Sequence, residues 1–209
     1  MSRLSDWFRR RTQAPRERVP ANWREELAAF EEEARRAPKA FQGTPLNRAG
    51  DLCLRAGDDR RALEYYGRTI DALLEDGQRE AARGVANKII RVHPGAIRTL
   101  CTLTWLDLAS RHMATALMHL RDYVAAAQRG SQEYLAADQI VVMARVVPNQ
   151  EFLAAAADAL DQLGFAEQAV EARVWMKNSG SPGAIHDAEA LEEACLVAAL
   201  GANAGRGGE

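Results

Sequence analysis

The residues best suited to chemistry in this chain are its histidines and their acidic neighbours. His112 and His119 stand seven apart, so on a helix they share one face, with Asp122 close by. Two imidazoles and a carboxylate can hold a metal, but a complete site needs further ligands from other helices, and these histidines read rather as packing or solvent-edge residues. His93 stands before Pro94, and His186-Asp187 opens a late apolar stretch. The acidic runs Glu31-Glu32-Glu33, Asp58-Asp59 and Glu192-Glu193 read as solvated helix surfaces and starts. The three cysteines, Cys53, Cys101 and Cys195, lie far apart with no CxxC pair. They read as buried reduced thiols in a reducing compartment.

Other constellations are missing. Gly43-Thr-Pro and Gly201-Ala-Asn-Ala-Gly lack the lysine and context of a phosphate loop. There is no Gly-x-Ser-x-Gly elbow and no HExxH. The sequence therefore reads as non-enzymatic, with no cofactor and no metal.

Composition supports that reading. Apolar residues make up 47% of 209, and 27 Lys and Arg balance 29 Asp and Glu for a net charge of -2. That balance disfavours a general nucleic-acid binder. Abundant alanine with few β-branched and aromatic residues favours helix. The longest apolar run, Ala194 to Leu200, is far short of the ~20 residues of a membrane span. No secretory leader is read at the N-terminus. The expected location is cytoplasmic, including the cytoplasmic face of a membrane.

The elements that would position these residues are helices. Residues 1–20 form a basic arm with six arginines and two prolines. Asn22 is placed to cap a helix whose Trp23, Leu27, Phe30 and Ala34 form one stripe; this helix and its linker occupy 21–42. Helices then follow from Thr44-Pro45 to about Gly57, from Asp58 to about Gly77, and at about 78–92, 96–109, 111–129, 131–147, 149–163 and 165–178. Gly, Pro and Asn punctuate them. A last helix over 184–200 carries Ile185, Ala188, Leu191, Cys195 and Ala198 on one side. It is expected to cap the stack, and 201–209 to be a disordered tail.

Gly50, Gly57, Ala62 and Tyr66 suggest how neighbours pack. Small residues at Gly50 and Ala62 let two helices approach, Tyr66 fills the space beside them, and Gly57 ends the first helix. The pattern recurs. Ala82, Ala86, Ile89 and Pro94 repeat the second helix with its proline. Ala116 and Leu120 follow one period later, and Leu163-Gly164 precedes Ala169 as Gly57 precedes Ala62. Over residues 43–183 this resembles the tetratricopeptide repeat family, a helix–turn–helix of about 34 residues. The phase slips twice, and leucines (Leu46, Leu100, Leu153) replace the early tryptophan.

The resemblance implies an all-α, right-handed superhelical stack of antiparallel helix pairs, an α-solenoid with a basic N-terminal extension. Its first helices would line a groove that takes a peptide segment or a helix. The implied groove residues are Asn47, Asp51 and Arg55, then Arg98, Cys101 and Trp105, then Glu151, Ala154 and Asp158. Trp105 reads either as a binding anchor or as core.

In the arm, Leu4, Trp7 and Phe8 fall at helical spacing before Arg9, Arg10 and Arg11. An apolar wedge beside arginines suits an anionic membrane surface, and equally another protein. The combined expectation is a scaffold or adaptor with a protein partner. It would act as a peripheral subunit or assembly factor of a membrane-associated complex, attached through the arm. The alternative is a regulatory sensor holding a small ligand or metal around His112 and His119.

Overall fold

The computed structural model describes residues 19–204. The described residues are all helical, with ten α-helices, one short 3-10 turn at Lys39–Phe41 and no strand. The anchor residues Leu4, Trp7, Phe8, Arg9, Arg10 and Arg11 and the tail from Gly205 lie outside the described residues. The described residues form two compact units, divided between Ala72 and Leu73.

The first unit contains α1 (Trp23–Arg36), α2 (Gly43–Ala56) and most of α3 (Asp59–Glu75). The α1 stripe packs through Leu27, Phe30 and Ala34, all buried, against α2. The α2–α3 approach is set by Gly50. A Cβ there would sit 2.6 Å from Tyr66 Cε1, and Ala62 and Tyr66 are fully buried. Gly57 ends α2 at φ 79, a left-handed conformation that glycine adopts freely. Asp58 Oδ1 accepts the Arg61 N–H at 3.2 Å and starts α3. Asn22 makes no side-chain cap, and α2 begins at Gly43, which puts Thr44 inside its first turn.

The second unit contains α4 (Arg79–Val92), α5 (Ile97–Ala109), α6 (Met113–Arg129), α7 (Glu133–Val146), α8 (Gln150–Gln162), α9 (Ala166–Lys177) and α10 (Ala188–Ala204). Consecutive helices from α4 to α9 pack on each other, as short connections require. In addition α6 touches α8 and α7 touches α9, so alternate helices lie side by side. The break after α6 differs by one residue from a glycine-led turn. Ser131, at φ 52, takes the left-handed position, while Gly130 stays at φ -95.

The last helix departs most from the sequence reading. It spans Ala188–Ala204, four residues later than expected at both ends, because Asp187 Oδ1 accepts the Ala190 N–H at 2.8 Å and sets the start. Its buried stripe is Cys195, Ala199 and Asn203, while Ala188 is exposed. It does not cap the outer face of α9, where Val170 and Val174 remain exposed. It turns back and lies along α5. The reason is in α5 itself: every residue from Thr99 to Ala109 is buried, so this helix is covered on all sides.

Candidate functional site

Three elements converge at the N-terminal end of α5. Ile97, Arg98 and Cys101 come from its first turns, Leu135, Asp138 and Gln139 from α7, and Gly201 and Ala202 from the end of α10. With Tyr123 and Gln132 they line a cleft of about 300 Å3. At its other end α5 shares a second hollow with the start of α10, where Ala109 and Ser110 face Ala188, Glu189 and Glu192. Helix α10 therefore runs antiparallel to α5, and Arg79 of α4 forms an ion pair with Glu192.

The cleft has a hydrogen-bonded floor and a mixed rim. Gln139 Oε1 accepts from Trp105 Nε1 at 3.4 Å and from Cys101 Sγ at 3.8 Å. Burial pushes the Cys101 thiol up to about 12, although its hydrogen bonds with Tyr123 and Trp105 pull the other way. Burial raises the Tyr123 hydroxyl as well, helped by Cys101. Both groups stay neutral donors at physiological pH. Leu135 is 60% exposed, and Val142 lies seven residues along the same stripe of α7, also exposed. A neutral, buried thiol is a poor nucleophile.

The expected groove residues separate into two sets. Arg98, Cys101 and Trp105 do come together, but Cys101 and Trp105 are 2% and 1% exposed. Trp105 is therefore a core residue whose indole N–H braces Gln139, and it offers no surface as an anchor. Asn47, Asp51 and Arg55 belong to the first unit. There Asp51 Oδ1 accepts the Tyr66 hydroxyl at 2.6 Å, and Asp51 and Arg55 border a shallow hollow with Glu26, Phe30, Arg48 and Leu54. Of the α8 residues, Glu151 and Asp158 are exposed, and Asp158 lies 3.5 Å from Arg173. Tyr65 donates its hydroxyl to Glu31, which removes Glu31 from the solvated run. Cys53, Cys101 and Cys195 are all buried free thiols.

His112 and His119 are joined in one hydrogen-bonded network through Arg83 and Asp107. His119 Nδ1 lies 2.7 Å from Asp107 Oδ2 on α5, while Asp122 is exposed. His112 Nδ1 lies 2.6 Å from Arg83 Nη1, which also reaches Asp107 Oδ1 at 3.2 Å. An arginine only donates, so this His112 nitrogen must accept. No group of three or more His, Cys, Asp or Glu placed for a metal occurs among the described residues.

Sequence reasoning missed Tyr123, Leu135, Asp138 and Gln139. Only the pair Leu135 and Val142, apolar and seven apart with Gln139 between them, hinted at a working face on α7. No helix of the described residues is long and apolar enough to cross a membrane. No known protein family, no characterised protein and no solved structure matches this chain.

Proposed function

We propose that this chain is a non-enzymatic scaffold that holds a polypeptide segment against the α5–α7 side of a tetratricopeptide-like helical array. The observation that carries the reading is the cleft itself. It has neutral donors and an amide at its floor, Arg98 and Asp138 of opposite charge at its rim, and Leu135 exposed at its edge. A peptide backbone presents alternating donors and acceptors with apolar side chains, which is what such a lining complements. The packing of α6 on α8 and α7 on α9 supports a stacked-pair solenoid, whose inner layer offers an extended surface of this kind. Attachment to an anionic membrane surface or membrane complex through residues 1–20 completes the reading.

The test is selection of displayed random peptides on the full chain, followed by counter-screening on Leu135→Glu and Arg98→Glu. Both positions are partly open to solvent, so the fold should survive. The scaffold reading expects a peptide family whose binding falls about tenfold or more in each variant, in line with loss of a central contact. No enrichment, or enrichment indifferent to both variants, would refute it.

A further inference from the structure

We propose that the hollow at the start of α5 is an oxyanion site that takes a phosphate monoester carried on a side chain of the bound segment. This inference rests on the α5–α7 side being a receptor surface, and it names one group that the partner presents.

The hollow, of about 360 Å3, borders the cleft and shares Ile97, Arg98 and Gln132 with it. His93, Gly95, Thr99 and Gly130 stand among its other walls, and no Asp or Glu lines it. Asp138 lines the cleft and not the hollow.

Its donors begin with the helix itself. The N–H groups of Ile97, Arg98 and Thr99 find no backbone carbonyl; the first such bond runs from the Leu100 N–H to the Ala96 carbonyl at 3.0 Å. Ala96, at the N-cap, offers no capping side chain, and the first turn holds no acidic residue. Arg98 stands there instead, a cation at the positive end of the helix dipole, where anions are favoured. Its guanidinium makes no ion pair or hydrogen bond among the described residues.

Thr99 points to a ligand independently. It is 5% exposed and lines the hollow. The hydroxyls of Thr69, Thr102 and Thr104, equally buried, each donate to the carbonyl four residues back. The Thr99 hydroxyl has no partner among the described residues. Every Cα–Cβ bond of a helix tilts toward its N-terminus, so this side chain leans toward the three open N–H groups. A buried hydroxyl without a partner costs free energy that a bound oxygen would recover.

The number of donors selects the anion. Three N–H groups, a guanidinium and a hydroxyl exceed what the two oxygens of a carboxylate use. A phosphate monoester brings three terminal oxygens and a nearly double charge to the same helix end. The last carbonyls of α6 do not oppose it, because those of Ala126 and Ala127 already accept the Gly130 and Gln132 N–H groups.

The experiment follows backbone amide shifts of the isotope-labelled full chain by NMR. The probes are inorganic phosphate, N-acetylphosphoserine amide and acetate, at constant ionic strength. Saturable shifts are expected at Ile97, Arg98 and Thr99, with the phosphoserine derivative binding at least as tightly as inorganic phosphate and acetate roughly tenfold more weakly. Arg98→Gln should weaken phosphoserine binding about tenfold, the scale of one charge-assisted hydrogen bond, and Thr99→Val about fivefold, the scale of a neutral one. Both variants should keep the fold, since Arg98 is half-buried with no partner to lose and valine has the shape of threonine. Amides that do not shift, equal binding in both variants, or acetate or inorganic phosphate binding more tightly than the phosphoserine derivative would overturn the proposal. Leu135→Glu should leave these shifts unmoved, so failure here is distinct from failure of the peptide selection.

Discussion

Asp107 Oδ2 lies 2.7 Å from His119 Nδ1 while its Oδ1 lies 3.2 Å from Arg83 Nη1, so one carboxylate joins α4, α5 and α6. The Asp107 side chain is 1% exposed. It is a buried charge with two hydrogen-bonding partners, and that network costs most when half of it is removed. Asp107→Ala is expected to lower stability by about 3 kcal/mol in urea unfolding. His119→Ala should cost about 1.5 kcal/mol, and the double variant less than the sum, because the two residues share one interaction. Additive losses would show that the pair is not coupled.

Gly50→Ala probes the contact between α2 and the Tyr66 ring of α3. The Tyr66 ring cannot move aside easily: it is fully buried, and its hydroxyl is held by Asp51 at 2.6 Å. The added methyl overpacks the site, and a loss of about 2 kcal/mol is expected. Tyr66→Leu in the same chain should recover part of it. A Gly50→Ala chain of unchanged thermal stability would mean that the helices part without cost.

Ser131→Gly should stabilise. Ser131 sits at φ 52, where a side chain is strained and glycine is not. The gain expected in chemical denaturation is up to about 1 kcal/mol, reduced by the extra entropy of glycine in the unfolded chain.

Alkaline pH should destabilise through the thiols. Burial pushes Cys101 and Cys195 up to about 12 and Cys53 up to about 11, from the ordinary thiol value of 9.0. Their contribution is complete below pH 9, where both states are protonated. Above 9 the unfolded thiols ionise and the folded ones do not, so stability falls until the folded values are passed near 11 to 12. Each thiol contributes a slope of about 1.4 kcal/mol per pH unit in that window. Urea midpoints from pH 8 to 11 should fall less steeply in Cys195→Ala than in the unaltered chain.

The arm makes its own prediction. Arg9→Ala, Arg10→Ala and Arg11→Ala together should weaken binding to phosphatidylserine vesicles about 100-fold, from roughly 1 kcal/mol per arginine at an anionic surface. If binding is already absent in the unaltered chain, the membrane attachment is wrong and the cleft reading stands alone.

The sequence by itself determined most helical segments and the inward faces of α1 to α3, though not the bounds or the buried face of α10. A 3.6-residue apolar period and glycine or proline breaks are local signals, so Leu27, Phe30 and Ala34, or Gly50, Ala62 and Tyr66, could be assigned without knowing what lay opposite. Tertiary structure decided the partners. Periodicity says that a face is buried but not against what. Thus His119 met Asp107 and not Asp122, Trp105 turned inward to Gln139, and the C-terminal helix passed the exposed Val170 and Val174 of α9 to lie on α5. The cleft is legible only then, because Arg98, Gln139 and Ala202 are far apart in the chain and come together only when α10 folds back.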